Sequence, residues 1–299
     1  MKPDLTEEPR QAQAAFFQVL DDSRVQCVLC HHACVLKPGQ WGICKVRTNK
    51  AGTLSIPLYG HISSLAIDPV EKKPLLYFMH GSYTFSAGFW HCNMKCPFCQ
   101  NWSISHPNPG IAKRTAVLPP EALVQKTLDS GCPSVSLTYS EPTIHIEYAL
   151  ETFKIAKAAN LATILVTNGS ICAEPAQSLL KLTDAVNVDI KTASEERYRS
   201  ILGGDLQTVK NFIQIAYQYS HLEVTSLLVP GILDQPDEIR IIAEFLASIS
   251  PQIPFHITPY HPDFNYTQAP LTYRQMQEIA KPAYELLECV HLYRPWQDR

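Results

Sequence analysis

YTFSAGFWHCNMKCPFCQNW, residues 83–102, decides the fold: a seven-residue β-branched and aromatic run gives way at once to a loop carrying three cysteines. A run that is apolar on both faces belongs in a sheet covered on both sides, as parallel sheets are. The same texture recurs downstream at SVSLTY (134–139), ATILVT (162–167), AVNVDI (185–190), LEVTSLL (222–228) and PFHITP (254–259). Between these runs lie turn signals and segments of helical period. LPPEALVQKTLDSG (118–131) opens on prolines, which suit a helix start, and Ile239, Ile242, Leu246 and Ile249 keep the 3-and-4 spacing of one buried stripe. Strands alternating with helices in this way are six parallel βα units. Six is fewer than the eight of a closed barrel, so the expectation is an α/β fold, a partial (β/α)6 TIM-like barrel over residues 81–299. Its site should lie at the carboxyl ends of the strands.

Upstream, residues 1–80 read as an N-terminal Cys-rich module. Residues 6–20 suggest an amphipathic helix. TLSIPLYGHISSLAI (53–67) alternates as strands do, but Pro57 and Gly60 break it into pieces suited to an edge hairpin. The 299 residues carry 25 Lys+Arg against 28 Asp+Glu, a net charge of −3 that argues against non-specific nucleic-acid binding. With 45% hydrophobic residues the chain can bury a large core. No run reaches the roughly 18 apolar residues of a spanning helix, and the acidic start MKPDLTEEPR does not suit a secretory signal. The expected compartment is the cytoplasm, with no membrane partner. There, ten cysteines point to metal rather than disulfides, since seven fall in two tight groups.

In the loop after the first strand, Cys92, Cys96 and Cys99 are spaced C-x3-C-x2-C. A structural zinc or an ordinary four-iron cluster takes four protein ligands; three thiolates leave one corner open. An open iron can chelate a substrate. The alternative is a zinc site completed by His91 or another residue. With Phe98 just before the last cysteine, the loop resembles that of the radical S-adenosylmethionine (SAM) superfamily. The resemblance implies a [4Fe-4S] cluster held by Cys92, Cys96 and Cys99, SAM on the open iron, and reductive cleavage to a 5′-deoxyadenosyl radical, the cofactor carrying the hard step. Tyr139-Ser140-Glu141-Pro142-Thr143 stands where the superfamily carries Gly-Gly-Glu, which implies that Glu141 meets the SAM amino group. By the same resemblance, which extends to glycyl-radical-enzyme activases, Phe98, Tyr139, Asn168, Asp189, Lys191 and His261 bind cofactor. Val166 replaces the acid that the activases carry just before Thr-Asn-Gly, so no cation site is expected there. His256, inside a strand, reads as structural.

CVLCHHACVLKPGQWGIC places Cys27, Cys30, Cys34 and Cys44 at C-x2-C-x3-C-x9-C, a closed second site for zinc or iron–sulfur. His31 and His32 between them read as exposed loop residues. This group, with CPFCQNWSIS, TYSEPT and PYHPDF, resembles the AmmeMemoRadiSam-system branch, related to pyruvate formate-lyase activating enzymes. The function implied is a radical SAM oxidoreductase that abstracts hydrogen, as a glycyl-radical-enzyme activase or on a small molecule, with a flavodoxin or ferredoxin as reductant. The alternative is a non-catalytic iron–sulfur or zinc protein for electron transfer or binding. Lys113 and Arg114 form a solvated charge pair that could meet an acidic partner.

Overall fold

In the computed structural model, which describes residues 12–295, one eight-stranded sheet holds the molecule together. Its strands are β1 (Ile62–Pro69), β2 (Tyr83–Phe89), β3 (Ser134–Thr138), β4 (Ala162–Thr167), β5 (Ala185–Asp189), β6 (His221–Leu228), β7 (Phe255–Pro259) and β8 (Val290–Leu292). They lie in sequence order across the sheet, β2 to β8 parallel and β1 antiparallel to β2. The six expected strands are all present, and the fold is the expected partial TIM-like barrel. A short seventh parallel strand, β8, extends it. The half-buried residues of β8 give little hydrophobic signal in the sequence.

Six helices make the crossovers: α1 (Pro120–Asp129), α2 (Ile146–Ala158), α3 (Ala173–Leu180), α4 (Leu206–Tyr219), α5 (Pro236–Ile249) and α6 (Tyr273–Leu286). Pro120 opens α1, and α5 buries Ile239, Ile242 and Leu246 as the spacing requires. Asp205 caps α4 by accepting from the Thr208 amide, and Thr272 and Gln275 form a capping box on α6.

Residues 70–78 cross the barrel from β1 toward β8. The Asn187 amide donates to the Pro74 carbonyl at 2.8 Å, and the Leu76 and Tyr77 amides donate to the buried Glu223 carboxylate at 3.0 and 2.9 Å. His221 and His256 bond the same carboxylate at 2.9 and 2.6 Å, so His256 is structural, as read.

The helix expected over 6–20 is not formed in its described part. Ala12–Gln13 pairs with Thr53–Ile56, and Phe17–Val19 pairs with Val25–Cys27; residues 6–11 lie outside the described residues. Phe16 takes φ +56° between the two strands, and this tertiary pairing overrides a local apolar pattern of helical spacing. Strand β1, within residues 1–80, joins the barrel sheet as its antiparallel edge.

Candidate functional site

After β2 the chain reverses at His91, φ +71°, and the His91 amide is tied to the Ile104 carbonyl at 2.8 Å. Further backbone bonds hold the cysteine loop: Lys95 to Leu202 at 2.8 Å, and Asn265 to Pro97 at 2.9 Å. The loop forms one wall of a cavity of about 540 Å³ that enters the barrel at the carboxyl ends of its strands, and Cys92, Cys96 and Cys99 all line it. Its volume is in the range of small-ligand sites. Cys92 Sγ accepts from the Met94 amide at 3.4 Å and from Asn168 Nδ2 at 3.5 Å. Burial pushes the Cys92 thiol up, aggravated by Glu141. It takes Cys96 to about 11 even though Lys191 opposes the shift. Among the described residues no three His, Cys, Asp or Glu side chains gather at one ion's coordination geometry. Three soft donors on one cavity wall fit a cluster with an open corner. His91, the fourth ligand of the zinc alternative, lines a different cavity on the far face of the loop.

Phe98 is buried beside the third cysteine, edge-on to Tyr266 at 6.3 Å, and lines the SAM-sized cavity. Tyr139, Asn168, Asp189, Lys191 and His261 line it too. Lys191 pairs with Asp189 at 3.0 Å; burial would lower its pKa, but Asp189 and the cysteine loop outweigh burial and keep it protonated. His261 is exposed at the mouth.

Glu141 lies behind this wall and does not line the cavity. Its Oε1 accepts from the Thr143 amide at 3.0 Å, Thr143 Oγ1 at 2.6 Å and Thr167 Oγ1 at 2.7 Å; its Oε2 accepts from the Asn168 amide at 2.8 Å. Burial raises its pKa, opposed by these four donors. Two of these partners are backbone amides that can only donate, and they offset part of the cost of burying the charge. Glu141 thus ties the loop after β3 to the loop after β4. Asn168 passes the tie on, donating from Nδ2 to Asn93 Oδ1 at 3.0 Å.

One group escaped the sequence reading. Asp68, at the end of β1, bonds Lys73 Nζ at 2.6 Å and Lys72 Nζ at 2.9 Å, and accepts from the Tyr139 hydroxyl. Lys73 is buried, with its ammonium 4.5 Å from the centre of the Tyr139 ring. Burial would raise the Asp68 carboxyl, but these donors outweigh it and hold it well below its usual range. Tyr139 takes φ +75°, and a Cβ on Gly88 would stand 2.8 Å from its ring. The only signal was the charge group DPVEKKP (68–74) at a strand end.

Cys27, Cys30, Cys34 and Cys44 line one small cavity of about 10 Å³ together with Arg47. Arg47 pairs with Glu147 at 2.7 Å, yet its Nε is buried with no hydrogen-bond partner. The Arg47 charge acts on Cys27 and Cys44, lowering the cost of a thiolate at each against the opposing effect of burial. Burial pushes Cys30 up to about 12, a cost that a bound cation would relieve. His31 and His32 are half-buried clasps, not the exposed loop residues expected: His31 Nδ1 lies 2.8 Å from Ser170 Oγ and His32 Nε2 lies 2.8 Å from the Asn93 carbonyl. Their partners come from the barrel loops, which local sequence does not reveal.

A family model described as the radical SAM superfamily matches residues 91–246, from the cysteine loop through most of α5. The chain belongs to the radical SAM superfamily. Superfamily members use a [4Fe-4S] cluster and SAM, and this radical SAM protein falls with the pyruvate formate-lyase-activating-enzyme-like branch. It is 35% identical over 272 residues to an uncharacterized protein of Methanocaldococcus jannaschii, covering 90% of this chain and 80% of that one. It is 26% identical over 217 residues to the pyruvate formate-lyase-activating enzyme of Staphylococcus aureus, covering 68% and 82%. Among solved structures, Streptococcus suis SuiB bound to S-adenosylmethionine matches with TM-score 0.54 and 14% identity over 70% of this chain and 49% of SuiB, a likeness of fold alone. None of the described helices is long and apolar enough to cross a membrane.

Proposed function

We propose that this radical SAM protein takes a hydrogen atom from a polypeptide, as a glycyl-radical-enzyme activase does, with one electron supplied by a flavodoxin or ferredoxin. The observation that carries the reading is the single cavity lined by Cys92, Cys96 and Cys99 on one side and by Asn168, Asp189 and Lys191 on the other. When bound there, the [4Fe-4S] cluster and SAM would supply reductive cleavage of a C–S bond and a 5′-deoxyadenosyl radical. Cys92, Cys96 and Cys99 would hold the cluster. Asp189 offers a carboxylate to donors of SAM, and Lys191 a fixed positive charge to its carboxylate. Asn168, held by Glu141, keeps the wall in register with Cys92. Tyr139, clamped by Asp68 and Lys73, offers an aromatic face.

A nucleoside cosubstrate fills much of a cavity of about 540 Å³, so the substrate meets it at the mouth. Exposed His261 and Arg294 stand there, which supports a presented polypeptide loop over an enclosed small molecule. The likeness to the Staphylococcus aureus activating enzyme supports the same choice. Cys27, Cys30, Cys34 and Cys44 form the second metal site in this reading, and metal analysis of Cys30→Ala separates zinc from iron–sulfur.

The test is anaerobic reconstitution with iron and sulfide, followed by assay of 5′-deoxyadenosine from SAM for wild type and Cys96→Ala. Product from wild type alone is expected; equal product from both would overturn the cluster assignment. A glycyl radical signal on a partner protein, absent with Cys96→Ala, tests the polypeptide step, and its absence across candidate partners would favour a small-molecule substrate.

A further inference from the structure

The cysteine loop has a second face. Behind it lies a cavity of about 810 Å³, larger than the one inside the barrel, between the loop and the N-terminal module. Cys92, Met94 and Ser105 line both cavities, so the cluster loop is the partition between them. The far cavity has an apolar floor that includes Leu58, Met94 and Ala112, and a rim bearing Lys45, Lys95 and Lys113. Among the described residues no Asp or Glu lines it, although the whole chain is net negative at −3. His106 Nδ1, in its wall, is buried without a hydrogen-bond partner, and Lys113 Nζ lies 5.3 Å from the centre of the Trp41 ring. Trp41, Ile43 and Lys45 come from the N-terminal module, so the barrel alone does not build this surface.

We propose that this cavity is the docking site of the electron donor, an acidic protein that presents its redox group to the Cys92 side of the cluster loop. The proposal rests on the radical SAM reading above and locates its reductant. In that reading SAM would be held by Asn168, Asp189 and Lys191 on the barrel side of the partition, so this face would be left to the electron donor rather than to a hydrogen-atom donor. An electron would need only to reach the metal held by Cys92, Cys96 and Cys99, and this face offers Cys92 without Asn168, Asp189 or Lys191. Charge selects the partner: a rim bearing three lysines attracts an acidic surface, and such complementarity acts mainly on encounter rate and register. The step balances as one electron lost by the reduced donor and one gained by the cluster, with no bond made or broken.

The experiment uses the reconstituted protein, reduced flavodoxin as the acidic donor, and reduced methyl viologen as a small cationic one. Lys45→Glu/Lys113→Glu is compared with wild type and with Lys126→Glu/Lys154→Glu, a charge-matched change at exposed helical residues that do not line the cavity. The rate of cluster reduction is followed by visible absorbance, and the Kd for oxidised flavodoxin is measured at low and high salt. The expected result for the rim variant is a roughly tenfold or greater loss of rate with flavodoxin at low salt. Its Kd should weaken and its salt dependence should flatten, with viologen reduction and the control variant unchanged. Flavodoxin binding and reduction equal to wild type would overturn the assignment. If viologen reduction falls as well, Lys45→Gln/Lys113→Gln replaces the variant and the same comparison decides. Failure of the underlying reading looks different: viologen-reduced wild type would yield no 5′-deoxyadenosine whether or not flavodoxin binds.

Discussion

Replacing Glu141 by Gln tests whether the SAM wall is organised from behind. The carboxylate takes four donors, three on Oε1 and one on Oε2. Gln can keep the three bonds at its oxygen, but its NH2 then faces the Asn168 amide, donor against donor. Losing a charge-assisted bond costs about 1.5–3 kcal/mol and an unsatisfied buried donor about 1–3 kcal/mol more. Relief from burying a charge offsets part of this, leaving about 2 kcal/mol of net destabilisation. At ~2–4 °C per kcal/mol for a chain approaching this size, Tm should fall by about 4–8 °C. The damage is directed: Asn168 also bonds Cys92 Sγ and Asn93, so about 1.4 kcal/mol of the loss falling on that loop would weaken SAM binding about tenfold. The assays are a thermal melt and a calorimetric SAM titration of reconstituted Glu141→Gln, with iron content measured alongside. Iron should be retained, because no ligand has changed. Unchanged Tm together with unchanged SAM affinity would refute the role of Glu141 as the tie between the two loops.

Gly88→Ala should weaken SAM binding and lower stability by about 1–3 kcal/mol, because its Cβ would meet Ser64 Oγ at 2.3 Å and the Tyr139 ring at 2.8 Å; removing the serine with Ser64→Gly should restore only part of the affinity. Arg47→Met leaves the Glu147 carboxylate with the Ala15 amide but no counter-charge and should cost about 3 kcal/mol in a denaturant melt, with metal at the N-terminal cysteines lost first. Burial alone would raise the Glu223 carboxyl, but bonds from His221, His256 and two backbone amides hold it at about 2 against an ordinary 4.5. That difference is about 3 kcal/mol of stability, fully present above pH 4.5 and lost as pH falls toward 2. Acid melts of Glu223→Gln should therefore be lower at neutral pH and less steep across that interval; parallel curves for variant and wild type would refute it.

The strands of the barrel were legible because each is buried on both faces and bounded by turn residues, so local composition and tertiary place agree. The grouping of Cys92, Cys96 and Cys99 on one cavity wall was legible because they are neighbours in sequence. What stayed hidden depends on partners far along the chain. Ala12–Gln13 and Phe17–Val19 are strands only because Ile56 and Cys27 stand opposite them. Lys73 reads as one of several surface charges until β1 brings Asp68 against it under Tyr139. Glu141 was singled out from its motif, but its surroundings are set by Thr167 and Asn168, which no spacing rule connects to it. His31 and His32 looked like solvent-facing residues because the loops they grip lie more than 60 positions downstream.

Asn93 sits where these attachments cross. Its carbonyl takes His32, its side chain gives one bond to Ser170 and receives another from Asn168, and its neighbour is Cys92. The N-terminal cysteine loop, the three-cysteine loop and the loop after β4 therefore share a single hub. If the proposed sites are occupied, Asn93 is the residue through which a change at either would first be felt by the other.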